Sequence, residues 1–317
     1  MIGGKQMARF YKAFLALIIV LCIGAYAKVR YPDLFTIPDQ QPQETASTNT
    51  LQTSTSEIGS DTAFEASANT TNTLFYQGLS ESEQQDYRII LYTLQRRDSS
   101  AYTGAITPSS AEKVFCAVMA DHPELFWVGS KMTMTGVGSA YDNLSFEYTF
   151  SESQIAALQD QLTNATADVL AQTASAPTQY QQALIIHDWL VANVDYVDEA
   201  PNGQNVLGAI LDKQAVCTSY AKAFQYLAQK SGIACLTVTG TATVDDDLGI
   251  GSSGSHAWNM ATIDSVNTYI DVTFDDPVYL DGTSGDIIYD YFCISSEQIA
   301  VNHSAESLFT LPQCSSL

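Results

Sequence analysis

The change from helix to sheet that decides the fold lies in residues 215–242, which read AVCTSYAKAFQYLAQKSGIACLTVTGTA. Apolar residues recur at helical spacing from Cys217 onward, Lys230 falls in the last turn, and Gly232 stands just beyond it as a C-terminal stop. Residues 233–242 are then apolar or alternate, as in a strand. The pattern therefore predicts a helix that begins at Cys217 and leads directly into a buried strand.

Two further strands are predicted downstream and would pair as a hairpin. Residues 256–263 and 268–274 both have strand patterns, and they flank a turn at residues 264–267. Upstream, capping patterns start two helices at Ser151 and Thr178. Because helices come first and antiparallel strands afterwards, this half of the chain is predicted to be α+β.

The first half of the chain has three parts with different compositions. Residues 1–27 combine a basic start with an apolar run at 13–27 and are interpreted as a signal peptide or a membrane anchor. Residues 28–73 are rich in Ser, Thr and Gln and are interpreted as a flexible stalk. Residues 74–150 carry two helix patterns and an alternating strand pair, which predict a small N-terminal α+β module.

The N-terminal segment leaves two possibilities open. Its apolar run is shorter than the roughly 20 residues of a membrane span, and Ala25-Tyr26-Ala27 resembles a cleavage site. Lys28 and Arg30 follow at once and could equally flank a short uncleaved anchor. In both cases the rest of the chain is expected outside the cytoplasm, either secreted or anchored to the cell membrane by residues 13–27.

The composition is that of a globular protein with an acidic surface. The chain has 317 residues, of which 46% are hydrophobic, and a formal net charge of −22. Such a surface repels phosphate backbones, so nucleic acid is not an expected partner. The cysteines form no CxxC pair, and there is no HExxH or glycine-rich phosphate loop, so neither a metal nor a cofactor is predicted. Cysteines other than Cys217 are expected to be buried small hydrophobes, although export would permit disulfides among them.

Cys217 stands where a thiol gains reactivity, in the first turn of a predicted helix. Unpaired backbone N–H groups and the helix dipole favour the thiolate there. His256 and Asp271 lie on the two strands of the predicted hairpin, which can bring them to one side of the sheet. Otherwise His256 would be an ordinary strand histidine satisfied by a nearby carboxylate, and Asp271 a strand-end cap.

The predicted hairpin leaves a gap between these two side chains. A symmetric hairpin centred on Ser265 and Val266 places Asp271 opposite Met260, four residues from His256. A bulge, a shifted turn or a strong strand twist has to close this gap if the two side chains are to meet.

Three blocks of the sequence resemble the signature of the transglutaminase-like superfamily, in that family's order of Cys, His and Asp. They read AVCTSYA at 215–221, SHAWN at 255–259 and YIDVTFDDP at 269–277. The likeness extends over roughly residues 74–303. It includes PELFW at 123–127, which is similar to the N-terminal module that bacterial members often carry.

Two positions depart from the family's usual residues. Ser219 stands where Gly is usual, and Phe274 stands where Trp is usual. Neither position supplies a triad atom, so the departures concern the fit of a substrate rather than the triad itself.

The resemblance implies a papain-like transglutaminase core over residues 151–317, with a nucleophile helix packed on an antiparallel sheet. It implies that Cys217, His256 and Asp271 form a triad that transfers an acyl group through a Cys thioester. Glutamine side chains or peptide amides would be the donors in a protein or peptide substrate, and an amine or water the acceptor. The same triad would serve a cysteine peptidase or amidase, and the fold could also persist in a catalytically inactive cell-surface binding module.

Further residues are assigned around the triad. The oxyanion of the tetrahedral intermediate needs a second donor besides the backbone N–H of Cys217, and Gln204 is preferred to Asn205 for that role. Trp258 and Tyr220, which neighbour His256 and Cys217 in sequence, are expected to line the substrate cleft.

Overall fold

The computed structural model describes residues 73–137, 140–244, 252–276, 287–307 and 309–317. The predicted signal or anchor segment and the predicted stalk up to residue 72 lie outside the described residues. Within the described ranges, no helix is long and apolar enough to cross a membrane.

The N-terminal module is an antiparallel three-stranded sheet accompanied by helices. The helices are α1 (Leu74–Gln77), α2 (Glu81–Arg96) and α3 (Pro108–Asp121), and the strands, in the order β1-β3-β2, are β1 (Ser100–Ile106), β2 (Val128–Val137) and β3 (Ala140–Tyr148). The predicted strand pair is thus present as β2 and β3. The short strand β1 has no clear alternation and was not predicted.

Helix starts in this module follow the capping chemistry of the sequence. Ser80 and Glu83 form the capping box of α2. Helix α3 begins at Pro108, because the Thr107 hydroxyl accepts a first-turn N–H and Pro108 suits the first helical position.

The second half of the chain consists of helices and a five-stranded antiparallel sheet in the order β10-β6-β7-β8-β9. The helices are α4 (Glu152–Ser175), α5 (Gln179–Asn193), α6 (Cys217–Lys230) and α7 (Ser296–Ile299). The sheet strands are β6 (Ala234–Val244), β7 (Ser252–Ile263), β8 (Val266–Ile270), β9 (Phe292–Ile294) and β10 (His303–Ala305). Two short strands, β4 (Asp195–Tyr196) and β5 (Gln214–Ala215), pair in parallel just before α6. The predicted α+β fold, with the nucleophile helix packed on an antiparallel sheet, is confirmed.

Helix α6 connects the sheet to the N-terminal module. Its residues Phe224 and Leu227 are fully buried in the hydrophobic core, and each such burial contributes about 1.5–3 kcal/mol. Gln225, also buried, donates to the carbonyl oxygen of Ala120 on α3 and accepts from the Thr237 hydroxyl on β6. Buried polar groups need such partners, so this glutamine fixes α6 against both neighbours.

Candidate active site

Cys217 is the first residue of α6 and is 8% exposed. Its buried neighbours are the small residues Ala221, one turn along the helix, and Ala257 on β7. Val216, the residue before the helix, supplies no side-chain cap, so the orphan N–H groups of the first turn stay close to the sulfur. The structure therefore places this thiol at a helix N-terminus, as the sequence predicts.

The turn of the hairpin lies one residue earlier than the symmetric hairpin would place it. It is formed by Asp264 and Ser265, with φ of 48° and 71°, instead of Ser265 and Val266. The Asp264 carboxylate accepts the backbone N–H groups of Gln179 and Tyr180 at the start of α5, at 3.2 and 3.3 Å. A helix N-terminus stabilises a carboxylate, so α5 holds the turn at this position.

The shifted turn brings Asp271 closer to His256. Continuing the register past the end of β8 at Ile270 sets Asp271 opposite Trp258, and not opposite Met260 as the symmetric hairpin requires. Trp258 and His256 share one face of β7, so the carboxylate has to reach back by only two residues. A shifted turn, one of the three ways to close the gap, is thus present and reduces the offset from four residues to two.

His256 and Asp271 form a short buried hydrogen bond. His256 Nε2 lies 2.6 Å from Asp271 Oδ2, and the two residues are 4% and 1% exposed. The other ring nitrogen, Nδ1, is buried and makes no full hydrogen bond within the described ranges. That nitrogen is left for the Cys217 sulfur, which lies close enough to affect the ionisation of the ring.

The charges of this group stabilise one another. Burial alone lowers the pKa of His256, but the Asp271 carboxylate and then the Cys217 sulfur outweigh it and raise the pKa to about 10. Burial alone raises the pKa of Asp271, yet His256 and His303 hold it well below its usual range. The arrangement favours the imidazolium form of His256 between the Asp271 carboxylate and the Cys217 sulfur.

A second histidine, which sequence reasoning missed, contacts the same carboxylate. His303 Nε2 lies 3.0 Å from Asp271 Oδ2, and His303 is 6% exposed. It belongs to β10, a strand of three residues 32 positions after Asp271. So short a strand has no periodicity, and nothing in the sequence near His303 signals its pairing with β6.

His256, Asp271 and His303 each have one atom that could bind a metal ion, and these three atoms lie within 4.8 Å of one another. The described part of the chain contains no other such group of His, Cys, Asp or Glu residues. Such a set could ligate a metal ion. The two imidazole N–H groups that meet one carboxylate oxygen already account for the arrangement as hydrogen bonds.

Aromatic rings surround the histidines. The Phe274 ring lies 4.7 Å from the ring centres of both His256 and His303, and its backbone N–H donates to Asp271 Oδ1 at 3.1 Å. Phe274, one of the two departures from the family's usual residues, therefore packs directly on the triad. Trp258 stacks on His256 at 5.9 Å.

The two expected cleft residues do not line a cleft. Trp258 is 2% exposed, because its ring packs between His256 and His303. Tyr220 is fully buried, with its hydroxyl 2.7 Å from the Val194 carbonyl oxygen and 2.6 Å from Asp276 Oδ2. Both assignments are corrected: Tyr220 occupies the inward face of α6, and Trp258 supports the histidines from within.

Hydrogen bonds join the loop that carries Gln204 to helix α6. Lys222 Nζ donates to the carbonyl oxygen of Gln204 at 3.1 Å. The buried Ser219 hydroxyl donates to the Asn205 carbonyl oxygen at 2.6 Å and accepts the Ala209 N–H at 2.9 Å. Ser219, the other departure, thus anchors this loop, while the Gln204 side chain is exposed and its oxyanion role stays a prediction.

A cavity of about 480 Å³ lies between the N-terminal module and the core. Apolar side chains such as Met119 and Phe126 line one part of it, and Gln204, Thr218 and Lys222 line another. Thr218 directly follows Cys217, so the cavity approaches the helix end that carries the thiol.

The other described cysteines are buried, as expected of small hydrophobes, and form no disulfide within the described ranges: Cys116, Cys235, Cys293 and Cys314. Burial raises the pKa of the Cys293 thiol to about 12 and that of Cys314 to about 11. These two thiols therefore stay protonated at neutral pH.

Comparison with known proteins relates part of the chain to a family. Residues 165–273 match the family model described as the Transglutaminase-like superfamily. No curated protein matches the chain at a significant level.

The solved structures to which this chain is similar are distant in sequence. One is a TGase with 11% identity and a TM-score of 0.31, covering 52% of this chain and 48% of its own. A candidate cysteine protease from Cytophaga hutchinsonii has 15% identity and a TM-score of 0.31, covering 59% and 78%. A candidate protease from Parabacteroides distasonis has 14% identity and a TM-score of 0.27, covering 50% and 40%. The chain thus spans about half the length of the TGase. Residues 165–273, which contain Cys217, His256 and Asp271, are therefore the part of the chain that is similar to the transglutaminase-like superfamily.

Proposed function

We propose that the chain is a thiol-dependent acyl-transfer enzyme that acts on glutamine side chains or peptide amides. One observation carries the proposal: His256 gives one nitrogen to a buried carboxylate at 2.6 Å and leaves the other for the sulfur of Cys217. A nucleophile, a base and a residue that orients the base are the minimum set for covalent catalysis by a thiol.

In the acylation step, the Cys217 thiolate attacks the carbonyl carbon of a carboxamide, and a carbon–sulfur bond forms. The resulting oxyanion collapses, the carbon–nitrogen bond breaks, and the proton of the His256 imidazolium passes to the departing ammonia or amine. A thioester and a neutral imidazole remain. Asp271 keeps the ring in place and stabilises its cationic form before that transfer.

In the deacylation step, the neutral His256 removes a proton from the acceptor as the acceptor attacks the thioester. An amine acceptor gives a cross-linked amide, and water gives the free acid, which is deamidation when the donor is glutamine. The carbon–sulfur bond breaks, and the thiolate and the imidazolium are restored.

The oxyanion requires donors placed before the reaction begins. We assign this role to the backbone N–H of Cys217 and, as a second donor, to the side chain of Gln204. The bonds from Lys222 and Ser219 support this assignment, because they hold the Gln204 loop against α6. The cavity beside Thr218 is the place where we expect residues that flank the reacting amide.

The test is to incubate the purified protein with a glutamine peptide, with and without a fluorescent primary amine, beside Cys217→Ala. Amine incorporation supports transfer, and glutamate formation without the amine supports deamidation. Cleavage of the peptide backbone instead supports a peptidase with the same triad. If no product forms and Cys217 reacts with iodoacetamide no faster than an ordinary thiol, the enzymatic proposal is wrong and a binding module remains.

We also propose that the enzyme acts outside the cytoplasm, secreted or anchored by residues 13–27. The basic residues Lys5, Arg9 and Lys12 before that apolar run support this proposal. Mass spectrometry of the protein from its producing cells distinguishes the cases. A terminus near residue 28 indicates cleavage, an intact terminus in the membrane fraction indicates anchoring, and an intact terminus in the cytosol contradicts both.

A further inference from the structure

The carboxylate of Asp271 receives more hydrogen bonds than a Cys-His-Asp triad requires. Its Oδ2 faces His256 Nε2 at 2.6 Å and His303 Nε2 at 3.0 Å, and its Oδ1 accepts the Phe274 N–H at 3.1 Å. We propose that His303 is a positioning residue, which fixes the Asp271 carboxylate so that this carboxylate can orient His256. This inference rests on the proposed function of Cys217.

A carboxylate held by one side chain alone can rotate about its terminal torsion, because that torsion is broad. During acyl transfer, His256 loses and regains a proton, so its bond to Asp271 changes strength within each turnover. His303 lies on the same oxygen but does not contact the reacting atoms. It therefore holds Asp271 in place while the bond from His256 varies.

His303 is itself held in a closed ring of hydrogen bonds. Its Nδ1 lies 2.7 Å from Asn302 Oδ1, and Asn302 Nδ2 donates to the Tyr291 hydroxyl at 2.7 Å. The Tyr291 carbonyl oxygen in turn accepts the Asp271 backbone N–H at 3.0 Å. The ring thus runs from the Asp271 side chain through His303, Asn302 and Tyr291 back to the Asp271 backbone, so its members support one another.

The approach of β10 that delivers His303 depends on Gly240 of β6. A Cβ at this position would lie 2.0 Å from the Ser304 carbonyl oxygen and 2.9 Å from Ala305 Cα. Any side chain there would push β10 away from the sheet. Gly240 pairs with His256 on its other side, so a single glycine lies between the strands of the two histidines.

Among the described residues, Asp271 is the acceptor that faces His303 Nε2. The titratable groups that face it are Asp271, His256 and Tyr291, and the Phe274 and Trp258 rings cover the remaining sides. These contacts leave His303 without room for a substrate atom. Its hydrogen bond to Asp271 is therefore the polar contact through which it can act on the proposed triad.

The experiment compares His303→Phe, which keeps a ring but removes the donor, with His303→Gln, whose side-chain amide reaches a similar position. Thr93→Val, a change of similar size at a buried hydroxyl that bonds within α2, is the matched control. With the glutamine peptide and the fluorescent amine, we expect His303→Phe to lower kcat by up to about 100-fold, because misplacing a catalytic group by about 1 Å has that effect. KM should change by less than about twofold, since His303 does not touch the substrate, and His303→Gln should recover most of kcat.

A second readout is the pH dependence of Cys217 alkylation by iodoacetamide, located by peptide mass spectrometry. A misplaced Asp271 stabilises the His256 imidazolium less, so fast alkylation should begin at a higher pH in His303→Phe, and this acid limb of the profile should return in His303→Gln. A purely structural role would lower stability in both variants without moving this limb. Equal kcat and equal profiles for the wild type and a folded His303→Phe overturn the inference.

The inference stays testable if His303→Phe fails to fold. Proton NMR of the wild type should show two slowly exchanging, low-field imidazole N–H signals, one from each histidine bonded to Asp271, and absence of the His303 signal overturns the inference. Failure of the proposed function looks different: Cys217 of the wild type would then alkylate no faster than an ordinary thiol. Fast wild-type alkylation with no effect of His303 contradicts only the inference.

Discussion

The core contains two buried histidine–aspartate pairs, which differ in whether the second ring nitrogen of the histidine also faces a carboxylate. His256 Nε2 lies 2.6 Å from Asp271 Oδ2, and His187 Nε2 lies 3.2 Å from Asp275 Oδ2. Both histidines are buried, as are both aspartates. Burial and pairing therefore do not distinguish the two sites.

The second nitrogen of each ring does distinguish them. His187 Nδ1 lies 3.0 Å from Asp188 Oδ1, so both of its nitrogens face carboxylates. His256 Nδ1 makes no full hydrogen bond within the described ranges, and the Cys217 sulfur lies close to its ring. An imidazole can exchange a proton with a substrate only through a nitrogen that is not already committed. The comparison shows that a structural histidine and a proposed catalytic one can share residue type, partner and burial.

The carboxylates differ as well. Burial raises the pKa of Asp275 to about 6, although the bonds from His187 and the Tyr291 N–H oppose that rise. Asp271 has two histidines on one oxygen, and its pKa lies well below the usual range. The ionised carboxylate form is thus favoured at Asp271 and disfavoured at Asp275, which lies four residues later in the sequence.

The largest expected effect separates the two histidines by activity. His256→Gln should lower kcat for acyl transfer by about 10⁴-fold or more, because it removes the group that transfers the proton. His187→Gln should keep kcat within a few-fold of the wild type. Rates of amine incorporation into the glutamine peptide test this, and similar losses in both variants would break the distinction.

The next effect separates the two carboxylates. Asp271→Asn should lower kcat by about 10³- to 10⁴-fold, because the asparagine amide neither fixes the tautomer of the neutral His256 ring nor stabilises its imidazolium form. The matched variant Asp275→Asn should cost less than about tenfold. An Asp271→Asn enzyme with near wild-type kcat would show that His256 does not need this partner.

A smaller effect concerns stability, and it is expected at the pair of His187 and Asp275. His187→Phe leaves Asp275 buried without its imidazole partner and should lower the free energy of unfolding by about 2–4 kcal/mol. Chemical denaturation followed by circular dichroism measures it, with His187→Gln as the conservative control. An unchanged free energy of unfolding would mean that this pair does not support the core.

The smallest expected effect is the pH dependence of stability due to Asp275. Because its folded pKa of about 6 lies above the ordinary 3.8, the stability it contributes is complete below pH 3.8 and is lost as pH rises through about 6. Asp275→Asn should therefore reduce the loss of stability between pH 4 and pH 8 by up to about 2 kcal/mol relative to the wild type. Denaturation curves at both pH values measure the difference, and parallel curves for the two proteins would contradict this assignment.

Local chemistry explains what the sequence could predict. Apolar residues at helical spacing mark the start of α6 at Cys217, and Lys230 and Gly232 mark its end. Both ends of that helix therefore followed from short-range signals. Strand alternation likewise placed His256 and Asp271 on the same side of a hairpin. The α+β class and the family blocks needed no more than these patterns.

Long-range contacts decide what the sequence could not predict. The hairpin turn lies at Asp264 because the start of α5, about 85 residues earlier, binds its carboxylate. His303 reaches Asp271 through a three-residue strand and a close approach at Gly240, which no local pattern encodes. Tyr220 was assigned to the cleft because it is close to Cys217 in sequence, but that closeness does not say which face of the helix turns inward.

The most direct test of the account is the rate of Cys217 alkylation by iodoacetamide across pH, in the wild type and in His256→Ala, read at the Cys217 peptide by mass spectrometry. The account predicts fast modification of the wild type at neutral pH, sustained toward the His256 pKa of about 10, and a much slower reaction in His256→Ala. Equal rates in the two proteins at neutral pH would contradict it, because the sulfur and the imidazole would then not act as a pair.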